Sequence, residues 1–271
     1  RVEEKPVAIC RLKRVAADLK GELTGRVPRG PFERNGKRIA CVGAGPASLT
    51  VANDLAPLGY EVVIFERQQT PGGLMRSNIP SFRLPQKVLD EEIGLILDMG
   101  VELKLGAAIA SMRELLEQQG FDAVFVGSGA PKGKELELPG RHDTDRIHIG
   151  IDWLESVAFE HIEKIGERVL IIGVGNTAMD CCRSSLRMGA KSVKVMARKP
   201  RGFFKASEWE LEDAEAEQVE IIVNRAPKRF VIEQGRLTGM LFDKMEYELK
   251  DGKITAERVL GEELIPCDDV I

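Results

Sequence analysis

The sequence predicts an α/β protein with two Rossmann-like dinucleotide-binding domains, the second inserted in the first. Two observations support this fold class. A short apolar strand runs into a glycine loop and then a helix twice along the chain, at Gly43 and at Gly173. Each of these units is followed by another apolar strand, which is the pattern of a parallel sheet with helical crossovers.

Composition narrows the class of protein. The 271 residues are 43% apolar and 30% charged, an ordinary globular mixture, and the formal net charge of −4 does not indicate a nucleic-acid partner. No apolar run approaches the roughly 18 residues that a membrane helix needs, and the start shows no signal-peptide pattern. We expect a cytoplasmic protein. Because the chain opens at Arg1 and stops in an apolar run at Ile271, we also expect a piece of a longer polypeptide.

Apolar periodicity and turn residues place the elements of the first half. They predict a helix with an apolar stripe over 5–20, a linker over 21–36, strands over 38–42 and 61–65 around a helix over 46–58, a helix over 85–98, a helix that Ser111 and Glu114 open as a capping box, and a buried strand over 123–126.

The second half repeats the unit and then turns to β structure. We predict a strand over 169–172, a helix over 176–188, a strand over 192–197, a solvated acidic helix over 207–217 that Ser207 and Glu210 open as a capping box, and alternating strands over 219–260 with turns at Gln234-Gly235 and Asp251-Gly252. The predicted domains are an N-terminal helix and linker (1–35), a first dinucleotide domain (36–150), a second one (151–264) and the start of a return to the first (265–271).

The first glycine loop has the features of a dinucleotide-binding loop. Its residues are Gly43, Ala44, Gly45, Pro46, Ala47 and Ser48. Glycine allows the tight turn and the close approach of a pyrophosphate to the helix N-terminus. Glu66 ends the next strand, where a carboxylate can accept hydrogen bonds from ribose hydroxyls. An ordinary tight turn with a solvated acid is the alternative.

The second glycine loop is followed by a strand that ends in basic residues instead of an acid. Its residues are Gly173, Val174, Gly175, Asn176, Thr177 and Ala178. The next strand ends in Arg198 and Lys199, with Lys205 close behind. Basic side chains can bind a ribose 2′-phosphate, which an acid would repel. A solvated basic turn is the alternative.

Two loops with opposite ribose chemistry suggest two cofactors, FAD at the first loop and NADPH at the second. Hydride transfer between such cofactors needs orientation rather than a protein acid or base, and the sequence offers no convincing catalytic residue. The five cysteines and three histidines show no metal spacing. We expect reduced thiols, no metal site, and histidines at the surface or in loops.

Further motifs resemble the small (beta) subunit family of glutamate synthase. They are Gly72-Gly73-Leu74, Phe82-Arg83-Leu84-Pro85, residues 175–181 and residues 187–193. The electron-entry domains of dihydropyrimidine dehydrogenase and of NADPH–ferredoxin oxidoreductases are similar too, and the loop form with Ser48 is nearest to the former. The resemblance covers residues 6–271.

The resemblance implies cofactor contacts residue by residue. For FAD they are Gly45, Pro46, Ala47, Ser48, Glu66, Arg67, Gly73, Leu74 and Arg83, with Gly127 and Gly129 near the flavin chain. For NADPH they are Val174, Gly175, Asn176, Thr177, Arg198, Lys199 and, beyond these, Lys205. Taken alone, Arg83 would more often be a surface charge.

The resemblance also implies an oxidoreductase that moves hydride from NADPH to FAD and electrons onward to iron–sulfur clusters. We expect those clusters only on a missing segment or a partner, since no cluster ligands stand in this chain. The acceptor could be a glutamate synthase large subunit or a ferredoxin-like protein. A non-catalytic docking subunit remains an alternative, and a disulfide reductase is disfavoured because there is no CxxC pair.

Overall fold

The structure is a computed structural model that describes residues 7–21 and 33–271. Contacts between Cα atoms divide it into two compact units. The first contains the described residues up to Thr70 together with Glu91–Gly127, and the second contains Pro71–Asp90 together with Ser128–Ile271. The predicted domain boundaries at residues 35, 150 and 264 stay a prediction.

Helices and strands alternate along most of the described chain. The helices are α1 (Ile9–Asp18), α2 (Pro46–Leu55), α3 (Leu74–Ser77), α4 (Gln86–Leu97), α5 (Met112–Glu117), α6 (Gly150–Ala158), α7 (Asn176–Arg187) and α8 (Glu208–Ala216), with 3₁₀ turns at Ala56–Leu58 and Arg201–Phe203. The strands are β1 (Arg38–Val42), β2 (Glu61–Phe65), β3 (Glu102–Lys104), β4 (Ala123–Val126), β5 (Arg168–Ile172), β6 (Ser192–Met196), β7 (Glu220–Ile222), β8 (Arg225–Glu233), β9 (Arg236–Lys250), β10 (Lys253–Pro266) and β11 (Asp269–Val270).

The first unit is built on a parallel sheet in the order β3-β2-β1-β4. Its central strands β1 and β2 are apolar on both faces and are buried at their middle residues, as expected of a parallel sheet that is covered on both sides. The strand predicted at 123–126 is present, but its burial was wrongly predicted. It is the edge strand β4, and Val126 is 56% exposed.

The second unit contains a parallel sheet in the order β11-β5-β6-β7. Alternate residues of β5 point to opposite faces, so that Val169 and Ile171 pack with the helices while Leu170 packs on the other side. The helical face is formed by α6, α7 and α8. The second face is covered by an antiparallel sheet in the order β10-β9-β8, whose Phe230, Met240 and Phe242 are buried.

This antiparallel sheet is formed by the alternating strands that the sequence predicts over 219–260. Its two hairpin turns fall where the sequence places them. Gln234 and Gly235 have φ of 50° and 75°, and Asp251 and Gly252 have φ of 52° and 72°. Two successive residues with positive φ are typical of the tight turns whose twist matches a hairpin.

The N-terminal helix is shorter than predicted. It spans Ile9–Asp18, and the predicted stripe of Val7, Ile9, Leu12, Val15 and Leu19 is at least half exposed, so nothing described covers it. Residues 1–6 and most of the predicted linker, 22–32, lie outside the described residues. Across the described ranges we find no helix with both the length and the apolar character needed to span a membrane.

Candidate functional site

The first glycine loop connects β1 to α2. Gly43 has φ of 95°, a conformation that favours glycine, and its N–H donates to Phe65 O at 2.7 Å. Gly45 is the N-cap of α2 and has φ of −80°, which any residue adopts. Pro46 is the first helical residue, and no side chain caps the helix. The positive φ at position 43 explains why that residue is glycine. The φ of Gly45 does not require glycine there.

The position of this loop in the sheet is the one that binds ligands in doubly wound folds. From β1 the chain continues to β2 and β3 on one side, and it returns to β4 on the other side. The strand order therefore reverses between β1 and β4, and ligands bind outside the carboxyl ends of strands at such a reversal. Gly127 follows β4 there, and its N–H donates to Val42 O at 2.9 Å.

Glu66 is buried and bound to the loop. One carboxylate oxygen accepts from Ala44 N at 2.7 Å and the other from Gln68 N at 2.9 Å. Each oxygen keeps a second lone pair that a ribose hydroxyl could use. The carboxylate thus holds the loop in shape, a role that the sequence pattern did not reveal. Arg67 beside it is exposed.

The second glycine loop connects β5 to α7 in the same way. Gly173 has φ of +115°, and its N–H donates to Met196 O at 3.1 Å. Gly175, the N-cap of α7, has φ of −104°. A Cβ built on Gly175 would meet nothing within 4 Å. Neither backbone strain nor crowding within the described chain requires glycine at this position.

The segment that leads into α8, residues 205–207, is hydrogen-bonded to this loop. Val174 O accepts from Lys205 N at 3.1 Å and from Ala206 N at 3.0 Å, and Asn176 Oδ1 accepts from Ser207 N at 3.3 Å. The Lys205 side chain is exposed. Backbone bonds therefore place this lysine beside the loop, as the sequence order suggested.

The basic end of β6 is solvent-exposed and only loosely paired. Arg198 Nη2 lies 3.7 Å from Glu257 Oε1 of β10, and Tyr247 Oη donates to Arg198 O at 2.7 Å. Lys199 Nζ lies 5.9 Å from the centre of the Phe203 ring. Arg201, in contrast, is bound by Glu208 and Glu215, which raise its pKa. Arg198 and Lys199 are thus held less tightly by neighbouring side chains than Arg201 is.

A cavity of about 430 Å³ opens beside the second loop. The strand order of this sheet reverses between β5 and β11, and the cavity lies at their carboxyl ends. Its lining includes Gly173, Gly175 and Thr177 of the loop, together with His148 and Ile271. His148 lies in a loop, and its Nε2 lies 2.8 Å from the buried carboxylate of Asp269.

The segment 71–90 carries three of the remaining predicted contacts, Gly73, Leu74 and Arg83. Gly73, with φ of 53°, is the N-cap of the short helix α3, and Leu74 is its first residue. Gly129, with φ of 66°, lies in the irregular chain that follows the first unit. Arg83 is held within the second unit, where it forms ion pairs with Asp180 of α7 and Glu210 of α8 at 2.6 Å each.

This cluster corrects two predictions for α8. Ser207 is the N-cap, but its side chain makes no capping bond to Glu210 N. Glu210 is 1% exposed rather than solvated, and its carboxylate faces Arg83. Burial raises the pKa values of both Asp180 and Glu210. Nothing in the local sequence distinguishes this buried glutamate from a capping residue.

The cysteines do not form a reactive pair. All five are free, and only Cys10 is exposed. Cys181 and Cys182 are adjacent on α7 and buried, and burial raises the pKa of Cys182 to about 12. Burial also raises the pKa of Cys41 to about 11 and that of Cys267 to about 12. Thiols with such pKa values are poor nucleophiles, which argues against disulfide chemistry.

Comparison with known proteins agrees with this geometry. Residues 37–268 match the pyridine nucleotide-disulphide oxidoreductase family. The NADP(+)-dependent formate dehydrogenase subunit beta of Moorella thermoacetica is 35% identical, with 98% of this chain and 39% of that protein covered. The glutamate synthase [NADPH] small chain of Halomonas elongata is 34% identical, with 87% and 52% covered. The chain therefore spans about half the length of these relatives or less. The expected resemblance is confirmed.

Solved structures support the fold class. FprA of Mycobacterium tuberculosis, solved in complex with NADPH, superposes with a TM-score of 0.69 at 19% identity, covering 86% of this chain and 69% of that one. Likeness at this identity shows the fold alone. The prediction of two Rossmann-like domains is confirmed.

Proposed function

This chain belongs to the pyridine nucleotide-disulphide oxidoreductase family, and from that membership we propose that it moves electrons from NADPH to FAD. The observation that carries the proposal is the pair of glycine loops at two strand-order reversals, one beside the carboxylate of Glu66 and the other followed by Arg198 and Lys199. When bound, NADPH supplies the hydride and FAD accepts it. The chain's own residues bind, orient and exclude water.

The first unit has features that fit FAD. The amides at the start of α2 lie at the positive end of the helix and have no side-chain cap, which suits a pyrophosphate. Glu66 holds Ala44 in place and has acceptor capacity left for ribose hydroxyls. We propose that Gly43, Gly45, Pro46, Ala47 and Ser48 contact the pyrophosphate. Arg67, Gly73, Leu74, Gly127 and Gly129 remain proposed contacts on the strength of the resemblance.

Arg83 has a different assignment from the one the resemblance implies. Its guanidinium is already engaged by two carboxylates of the second unit. We propose that it holds the segment 71–90, with Gly73 and Leu74, against α7 and α8. A direct contact with FAD would be an addition to that role.

The second unit has features that fit NADPH. Open space at Gly175 leaves room for a pyrophosphate over the start of α7. The exposed Arg198 and Lys199 suit a 2′-phosphate, with Lys205 beside the loop. We propose further contacts with Gly173, Val174, Asn176, Thr177 and Ala178. The cavity at Ile271 and His148 is large enough for a ring-sized part of the cofactor.

The electrons must leave for an acceptor outside this chain. We propose an iron–sulfur acceptor on a partner or on a further part of the polypeptide, in a cytoplasmic protein. The relatives are named for different enzymes, a formate dehydrogenase and a glutamate synthase, and we infer that the acceptor differs within the family. A ferredoxin-like acceptor is the second candidate, and a docking subunit without turnover is the third.

Anaerobic titration with NADPH tests the proposal. The purified full-length protein should be yellow, and NADPH should bleach its flavin absorbance with one flavin reduced per NADPH. NADH should bleach it more slowly. A colourless protein that binds no added FAD, or a yellow protein that NADPH does not bleach, would contradict electron transfer and favour the docking subunit.

A further inference from the structure

Tyr247 of β9 and Glu257 of β10 lie directly opposite each other in the antiparallel sheet. Residues paired in this way on neighbouring strands point to the same face of the sheet. Both side chains meet Arg198, which follows the end of β6. Tyr247 Oη donates to Arg198 O at 2.7 Å, and Glu257 Oε1 lies 3.7 Å from Arg198 Nη2. One cross-strand pair of the hairpin therefore contacts both the backbone and the guanidinium of this arginine.

The bond from Tyr247 lies where the chain leaves the parallel sheet. Ala197, the residue after β6, is still tied to its neighbours, because its N–H donates to Ile222 O at 2.8 Å and its carbonyl accepts from Arg225 N at 2.9 Å. Arg198 comes one residue later, and the hydroxyl of Tyr247 continues this series of bonds. The tyrosine thus fixes the backbone at the point where the strand gives way to a loop.

The guanidinium of Arg198, in contrast, can change partner. The side chain is 60% exposed and that of Glu257 is 48% exposed. An ion pair between exposed side chains at this distance is weak, so the phosphate of a ligand can replace the carboxylate. The bond from Tyr247 goes to the carbonyl instead and does not compete with a phosphate. The hairpin therefore fixes the position of Arg198 and leaves its charge available.

We propose that Tyr247 is a positioning residue for the 2′-phosphate of NADPH and acts through the backbone of Arg198. This inference rests on the proposed binding of NADPH at the second loop. Bidentate binding of a phosphate requires a defined orientation of the guanidinium, and ordering a loose loop during binding costs affinity. Because Tyr247 holds this backbone before the nucleotide binds, it should favour the nucleotide that carries a 2′-phosphate over the one that lacks it.

Tyr247→Phe tests the proposal, since it removes the hydroxyl and keeps the ring. The Kd of the full-length protein for NADP⁺ should rise roughly two- to tenfold, the range expected for one hydrogen bond, and the Kd for NAD⁺ should not change. Thr255→Val is the matched control on the same hairpin. Thr255 Oγ1 donates to Glu248 O at 3.2 Å, within the hairpin itself, so this variant should leave both Kd values unchanged.

A double variant separates positioning from a general effect on the hairpin. In the Arg198→Ala background there is no guanidinium to position, so Tyr247→Phe should leave the Kd for NADP⁺ as it is in Arg198→Ala alone. Hydrogen exchange of the amides over 197–204 measures the positioning without any nucleotide. Exchange there should be faster in Tyr247→Phe than in wild type, and equal rates would overturn the proposal.

Isothermal titration calorimetry with NADP⁺ and with NAD⁺ gives the Kd values without turnover. If wild type binds NADP⁺ no more tightly than NAD⁺, the proposed function fails. Three results with a wild type that prefers NADP⁺ would overturn only the present inference. In these, Tyr247→Phe keeps the preference unchanged, weakens the binding of both nucleotides equally, or has its full effect in the Arg198→Ala background.

Discussion

Arg83 donates from Nη1 to both carboxylate oxygens of Asp180, at 2.6 and 2.7 Å. Its Nη2 lies 2.6 Å from Glu210 Oε1, and the Trp209 ring lies against the guanidinium with its centre 5.7 Å away. Asp180 and Glu210 are 6% and 1% exposed. One cation thus bridges two buried carboxylates on different helices, and it ties the segment 71–90 to both.

Removing Arg83 should therefore destabilise the protein strongly. Arg83→Ala leaves two buried carboxylates beside one another without their bridging cation, and breaking a buried pair in this way costs about 3–5 kcal/mol. The free energy of unfolding from urea titration measures the loss. Arg113→Ala is the control, since Arg113 is 82% exposed in its pair with Glu117 and should cost less than about 1 kcal/mol.

A background variant separates charge from packing. In Asp180→Asn/Glu210→Gln the carboxylates are neutral, so Arg83→Ala should cost much less there than in wild type. The same cost in both backgrounds would mean that Arg83 acts through packing and not through charge.

The same cluster predicts an unusual pH dependence. Burial raises the pKa of Glu210 above its ordinary value of 4.5, so the folded protein takes up this proton at a higher pH than the unfolded chain. Between pH 4.5 and the raised folded pKa, the folded state binds more protons than the unfolded chain. This group therefore increases the free energy of unfolding as the pH falls through that range. Above the folded pKa the buried, ionised carboxylate destabilises the folded state. Glu210→Gln does not carry this charge.

The stability of Glu210→Gln relative to wild type should therefore be greatest at neutral pH and smallest near pH 4.5. Urea midpoints of both proteins at several pH values give the difference directly. Taking the difference cancels the carboxylates outside this cluster, including Glu217, whose pKa Arg187 and Arg183 lower to about 2. A difference that is constant with pH would show that Glu210 does not titrate as proposed.

Local signals in the sequence predicted the frame of the fold. The apolar runs of β1, β2, β5 and β6, with the glycine loops after β1 and β5, define both parallel sheets. Ser111 does accept from Glu114 N, at 3.3 Å, and both predicted hairpin turns are present. These features depend on residues within a few positions of one another, which is why one sequence suffices to find them.

What the sequence did not reveal depends on contacts between distant residues. Glu210 fits a capping box locally, and only Arg83, far earlier in the chain, makes it a buried partner. Glu66 was expected to face ribose, but its bonds to Ala44 N and Gln68 N depend on how the loop folds back. The antiparallel sheet under β5 and β6 likewise required knowing which face its alternating residues cover.

Gly175→Ala should separate cofactor binding from stability. Its φ of −104° suits alanine, and the added Cβ meets nothing within 4 Å. The urea midpoint should therefore stay the same or rise, because alanine restricts the unfolded chain. If a pyrophosphate lies over this backbone, the Cβ should raise the KM for NADPH by on the order of tenfold or more.

Two other glycines serve as controls for that substitution. Gly94→Ala, also in open space but within α4, should leave the KM unchanged. Gly173→Ala should lower the midpoint, since its φ of +115° strains any other residue. An unchanged KM in Gly175→Ala would place the cofactor away from the start of α7.

Arg198 and Glu257 give opposite tests of the choice between NADPH and NADH. Arg198→Ala removes a bidentate donor for the 2′-phosphate, so the KM for NADPH should rise roughly tenfold or more while that for NADH changes little. Glu257 Oε1, 3.7 Å from Arg198 Nη2, competes for that guanidinium and repels a phosphate. Glu257→Gln should therefore lower the KM for NADPH modestly and leave that for NADH unchanged.

Steady-state reduction of a dye by each nucleotide measures the KM values for NADPH and NADH in both variants. Arg258→Ala, also exposed on β10, is the control. Equal changes for the two nucleotides in Arg198→Ala would contradict the assignment of the 2′-phosphate to the end of β6.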